Sequence, residues 1–216
     1  MNEEQAILDF FARTENLSLA LSVAEQMDNI RVQMNNRYWL GLQSRLETLI
    51  EEHGMAWHLE PTEDRNARDC LVGLHCITGK EQPFCLLPMI EQQYLGGEWR
   101  IYYGLMWNAA PSREQLEIAE IAAVNSLKAS LQKAGYKHNE HFLAWQWTAF
   151  HPRRKDFLLR YAHQPDQLLD ETETILKKFL IDYGTDISRA NEALHAIPPR
   201  SLRGSLNQLR KELLED

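Results

Sequence analysis

Three apolar segments follow one another between Arg68 and Asn108: Cys70 to Ile77, Phe84 to Gln93 and Trp99 to Trp107. The links between them are short. Parallel neighbours need a crossover of about a dozen residues or more, so strands joined this closely must run antiparallel. Thr78-Gly-Lys-Glu-Gln-Pro83 turns the chain once, and Leu95-Gly96-Gly97 is a hairpin-turn signal. The first segment is apolar on both faces, which predicts a central strand. Pro88 interrupts the second and predicts a bulge there. Trp57 to Leu59, followed by a polar loop, and Phe142 to Thr148 (FLAWQWT) add one or two strands. The prediction is a mainly antiparallel sheet of four to five strands.

Helical periodicity surrounds this block. Ile7, Phe10 and Phe11 form a short apolar face, and Leu17, Leu21, Ala24, Met27, Ile30 and Met34 continue it at helical spacing. After Asn35-Asn36, a further stripe runs from Tyr38 and Trp39 to Ile50, and Gly54 fits the position that ends a helix. Asn35-Asn36 reads equally as a break or as the interior of one long helix. A helix is predicted from Pro111-Ser112 to Gly135, with Ser112 as N-cap and Glu114 and Glu117 at the positive end of its dipole. Further helices are predicted over 156–163, 168–183 and 187–194. Leu202, Leu206, Leu209 and Leu213 make a final amphipathic helix. The fold class is therefore α+β, with helices flanking the sheet and extending both ends. Residues 1–195 read as one domain whose segment 1–53 is helical, and residues 196–216 as an amphipathic helix after a Pro-Pro hinge.

Composition narrows the class. At 216 residues the chain can bury a substantial core. No apolar run approaches the ~18 residues of a membrane span. The N-terminus is acidic and lacks the basic region of a signal peptide, so a cytoplasmic protein is expected. The net charge of −8 is uneven: residues 1–66 carry 5 Lys/Arg against 12 Asp/Glu, while residues 151–216 carry 11 of each. An acidic N-terminal third repels phosphate backbones, so nucleic-acid binding by bulk charge is not favoured. Cys70, Cys76 and Cys85 lie in apolar segments and read as buried free thiols.

The acids of the β-block carry the clearest chemical pattern. Metal-assisted phosphodiester hydrolysis needs two or three carboxylates at one end of a sheet, beside a base or charge stabiliser. Asp69 opens one strand and Glu91-x-Gln93 closes the next, and residues 91 and 93 share a face. A carboxylate from the preceding helix, Glu47 or Glu51, is a candidate third ligand.

The order helix, β-meander, helix, strand, with Asp69 and Glu91-x-Gln93, resembles the PD-(D/E)XK nuclease-like superfamily. Asn36-Arg-Tyr-Trp-Leu-Gly-Leu, the helix it opens and the FLAWQWT strand also resemble parts of bacterial and phage proteins near that superfamily. The likeness is one of pattern, over residues 30–195. It implies a catalytic set of Asp69, Glu91 and Gln93, with Mg²⁺ held by Asp69 and Glu91. Two departures matter: Arg68, not proline, precedes Asp69, and Gln93 replaces the usual lysine. A neutral amide cannot supply that positive charge. The expectation is a nuclease-like domain whose remaining role is binding. The alternatives are an active Mg²⁺-dependent nuclease and an interaction or inhibitor (immunity-type) module binding a protein through its terminal helices.

Other candidates are less specific. Arg153-Arg154-Lys155 is the densest basic cluster and suits phosphate or an acidic partner. His138-Asn-Glu-His141 reads as a polar turn before a strand. His75 reads as a hydrogen-bonded residue within its strand. No P-loop, G-x-G-x-x-G or G-x-S-x-G motif is present.

Overall fold

The computed structural model describes residues 2–65, 67, 69–78, 84–95, 98–108 and 121–195. Their order is α1 (Glu3–Phe11), α2 (Thr14–Glu52), β1 (His58–Glu63), β2 (Leu71–Ile77), β3 (Leu86–Leu95), β4 (Glu98–Trp107), α3 (Ala122–Lys133), β5 (Phe142–Trp147), α4 (Lys155–His163) and α5 (Pro165–His195). The five strands lie side by side in chain order, and every neighbouring pair is antiparallel. This is the expected α+β fold with helices at both ends of the described chain.

One sheet face is the core face. Leu74 and Cys76 of β2, Leu86 and Ile90 of β3, and Ile101 and Leu105 of β4 are fully buried there. They pack with Trp39, Leu42 and Leu46 of α2 and with Leu176, Phe179 and Leu180 of α5. These α2 positions recur every three or four residues, so one stripe of the helix meets the sheet. Tyr38 adds a polar tie to α5: its hydroxyl donates to Thr172 Oγ1 at 2.9 Å. Arg45 joins the same two helices by pairing with Asp166 and Asp170.

The helix passes through Asn35-Asn36 without a break because neither amide competes for its own backbone. Asn35 Nδ2 donates to Leu71 O at 2.6 Å. Asn36 Nδ2 donates to Asp69 O at 2.5 Å, while its Oδ1 accepts from Leu71 N at 2.9 Å. Both asparagines therefore clamp the start of β2 onto the helix. Asn191 makes the matching clamp from α5, exchanging two hydrogen bonds with the backbone of Leu86 at 2.8 and 2.9 Å.

Several expectations shift. β1 runs on through Pro61 to Glu63, which an edge strand tolerates because one side of its backbone needs no partner. No register break occurs at Pro88, which pairs with Leu105 in an unbroken ladder. The described pairing of β2 with β3 instead stops at Met89, beside the proline that has no N–H to offer. The stretches 168–183 and 187–194 form one helix through Gly184. A mid-helix glycine costs about 1 kcal/mol, and buried Ile187, Ala190 and Leu194 beyond it outweigh that. Gly54 ends α2 at φ +58° and Gly135 follows α3 at φ +90°, as their sequence positions suggested. Pro111, Ser112, Glu114 and Glu117, the Gly96-Gly97 turn and the helix over 196–216 lie outside the described residues. The three cysteines are buried free thiols, and burial raises the Cys76 thiol to about 12.

Gly104 is required where β4 meets β5. It sits at φ +157°, and a Cβ there would lie 2.1 Å from Ala144 O and 2.7 Å from Trp145 Cα. Gly104→Ala is expected to cost about 2 kcal/mol or more, because neither backbone can retreat without breaking the ladder. A drop in the urea midpoint with an unchanged denaturant slope is the outcome to look for.

Candidate functional site

The sheet face opposite the core carries a polar row at mid-strand. The register aligns Thr62, Gly73, Glu91, Tyr102 and Trp147 across all five strands. Glu91 is the hub. Its Oε1 accepts from His75 Nε2 at 2.6 Å and, more distantly, from Thr62 Oγ1 at 3.5 Å. Its Oε2 accepts from the Tyr102 hydroxyl at 2.5 Å. A carboxylate only accepts, so the His75 hydrogen resides on Nε2. Gly73 makes the crossing to β1 possible, since a Cβ at that position would lie 2.5 Å from Glu91 Cγ.

Electrostatics follow from this geometry. Burial alone would raise the Glu91 carboxyl, but the hydrogen bond and charge of His75, with the bonds from Tyr102 and Thr62, hold it below its ordinary 4.5. The Tyr102 hydroxyl is pushed up, first by burial and then by the adjacent Glu91 charge. Beside this hub lie Trp145, Trp147 and Phe142, each within ring contact of Tyr102. Arg100 stacks over Trp147 at 4.9 Å and Lys137 over Trp145 at 5.2 Å.

The predicted catalytic residues are not drawn into one cleft. Glu91 faces Gly73, and Asp69 lies four residues earlier on the chain, about 13 Å along a strand path. Asp69 is exposed and forms the left-handed turn (φ +61°) that leads into β2, with its carbonyl held by Asn36. Among non-glycine residues, aspartate tolerates this conformation better than most. Gln93 is exposed on the Glu91 face, and its cross-strand partner is Arg100. A cation thus stands beside the position where the sequence lacks one. Glu47 and Glu51 line a groove with Trp57, His58 and Leu59. His58 pairs with Ile77, so that groove lies where β2 ends, at the opposite end from Asp69. Among the described residues, no group of three or more His, Cys, Asp or Glu could hold a metal ion.

The other candidates have local explanations. Asn139 Oδ1 accepts from His141 N and Phe142 N, both at 2.9 Å, which makes the His138–His141 segment a turn into β5. Of the basic cluster, Arg154 is the N-cap residue of α4. Arg153 and Lys155 line an apolar groove of about 450 Å³ with Arg31, Met27, Ile30 and Met34 of α2, closed by Leu158 and Leu159 of α4.

That groove sits at the root of an arm. The first buried residue of α2 is Asn35, so residues 14–34 extend beyond the core for roughly 30 Å. Leu17, Leu19, Leu21, Val23 and Ile30 of this segment are 43–58% exposed. Ahead of it, α1 has no buried residue, and Ile7, Leu8, Phe10 and Phe11 are 36–56% exposed. The periodic apolar pattern was visible in the sequence. What it could not show is that Leu17 and Leu21, beyond the groove against α4, stay exposed among the described residues.

No family model, no curated protein and no solved structure matches this chain.

The Glu91 hub predicts an acid-dependent stability. A depressed carboxyl stabilises the fold above its unfolded value, and that contribution is lost as pH falls through the lower folded value. Glu91→Gln should cost about 1–3 kcal/mol at neutral pH. The gap from wild type should narrow below about pH 4. Thermal melts of both proteins over a pH series check this, and a gap independent of pH would contradict the network.

Proposed function

We propose that this chain is a binding protein that engages another polypeptide through the arm formed by α1 and residues 14–34 of α2, and that its nuclease-like acids do not perform hydrolysis. The observation carrying the reading is the set of large apolar side chains left exposed along an ordered helix and at its root. Contiguous exposed apolar surface of this extent is rare on a monomer and marks interaction sites. Helices with an apolar face are commonly recognised by a complementary helix or groove.

The geometry at Glu91 supports the second half of the proposal. Both carboxylate oxygens already accept hydrogen bonds that tie Glu91 to Thr62, His75 and Tyr102, and among the described residues no group of three or more His, Cys, Asp or Glu gathers around it to complete a metal site. The PD-(D/E)XK likeness is then one of pattern alone, with Glu91 bracing the sheet.

A photoreactive residue placed at Leu21 of the full chain in living cells tests the reading. It should form a covalent adduct with a polypeptide, whereas the same residue at Ile181, exposed on α5, should not. No adduct at Leu21 would count against the arm. Mg²⁺- or Mn²⁺-dependent DNA cleavage that Glu91→Gln and Asp69→Ala both abolish would overturn the non-catalytic assignment.

A further inference from the structure

We infer that the partner of the arm is a second copy of this chain, paired about a two-fold axis that crosses the two arms antiparallel near Ala20–Ala24. This rests on the reading of the arm as a protein-binding surface and names its occupant.

Charge complementarity is the first support. The outer end of the arm is acidic: Glu3, Glu4, Asp9 and Glu15 stand against Arg13 alone within the first fifteen residues. The root of the arm is net basic: Arg31, which pairs with Asp28, and Arg153 and Lys155 surround the apolar groove. Glu15 at the outer end of α2 and Arg31 at its root lie roughly 24 Å apart along that helix. An antiparallel pair therefore sets each tip against the other copy's root, and does so twice. A parallel pair would set like against like.

The seam is the second support. Leu17, Ala20, Ala24, Met27, Arg31 and Met34 recur at alternating spacings of three and four, the pattern of a helix facing another helix. The small residues Ala20 and Ala24 lie mid-arm, where the axis would cross and backbones approach most closely. Leu21 flanks one side of the seam, and Val23 and Ile30 the other. One facing helix does not cover that width. The partner's α1, with Phe10 and Phe11 exposed, supplies a further apolar surface to lie in the groove between α2 and α4.

Area is the third support. Nine large apolar side chains on α1 and the arm are roughly half exposed. They point to more than one side of their helices, so a facing copy covers part of this surface, on the order of several hundred Å². A standard interface takes about 800 Å² from each partner. A two-fold pair is also closed, since each groove is filled by the copy whose own groove is filled in return.

Sedimentation of the full chain over a wide concentration series tests the inference. The wild type should be a dimer, and Leu21→Glu should shift it to monomer with an unchanged circular-dichroism spectrum. Reversing the tip (Glu4→Lys with Asp9→Lys) or the root (Arg153→Glu with Lys155→Glu) should each weaken the dimer by about tenfold or more. Mixing the two reversed proteins should restore a heterodimer. A wild type that stays monomeric overturns the inference, as does a dimer indifferent to Leu21→Glu or reversals that fail to rescue each other. The photoreactive residue at Leu21 separates this proposal from the reading beneath it. An adduct of twice the chain mass supports self-pairing. An adduct to a polypeptide of another mass, or within one chain, removes self-pairing, and only the former keeps the arm as a binding surface for another protein.

Discussion

The amide of Asn36 fixes the relation on which the rest of the structure depends. By donating to Asp69 O and accepting from Leu71 N, it locks one turn of α2 to the start of β2. Asn191 locks the far part of α5 to the start of β3 in the same way. A side-chain amide that satisfies strand-end backbone groups replaces water at places where apolar packing alone cannot. With both helices pinned, the core stripe of α2 from Tyr38 to Ile50 must face the sheet. Everything before Asn35 must then leave it. The arm is a geometric consequence of where the clamp sits.

The same logic separates bracing from catalysis at Glu91. A carboxylate poised for metal or proton transfer needs a spare lone pair directed at a substrate. The partners of Glu91 lie instead on three strands, with hydroxyl and imidazole donors on both sides and a glycine cleared beneath it. Its lowered pKa follows from those bonds and not from a neighbouring metal ligand. Perturbed titration is common at functional sites but arises equally in structural networks, and geometry must decide between them. On the proposed reading, the cross-strand row makes Glu91 a brace.

Much of this was readable in the residues. The meander followed from link lengths, and its register could have been counted outward from Gly96-Gly97: pairing Leu95 with Glu98 places Gln93 opposite Arg100 and Glu91 opposite Tyr102. That count would have found Arg100 and Tyr102 as the neighbours of Gln93 and Glu91. His75 was legible as a hydrogen-bonded strand residue, though not its partner, because the link between β2 and β3 does not fix their register. Asp69 looked like a partner of Glu91 because both sit near strand ends. The actual offset puts Glu91 opposite Gly73, and no local pattern encodes that four-residue difference. The asparagine pair was ambiguous for a related reason: whether an amide breaks a helix depends on a distant acceptor.

The arm poses a last physical question, namely why residues 14–34 are helical with so little of the described chain packed against them. Isolated helices of this length are marginal in water because the first turn is costly to nucleate. Here α2 needs no new nucleus, since the segment from Asn35 to Ile50 is held by the core and each preceding residue only extends it. Leucine, alanine, methionine, glutamine and glutamate dominate the arm, and all propagate a helix well. Propensity explains the helix but not its apolar exposure, because exposed leucines contribute nothing to a solitary helix that alanine or lysine would not. The leucines are accounted for only if the arm is covered. A head-to-tail contact between arm and groove would cover it too, but would leave one of each open at every end and continue into filaments. Reciprocal pairing covers both surfaces at once, and it turns the acidic α1 of each copy toward the basic root of the other.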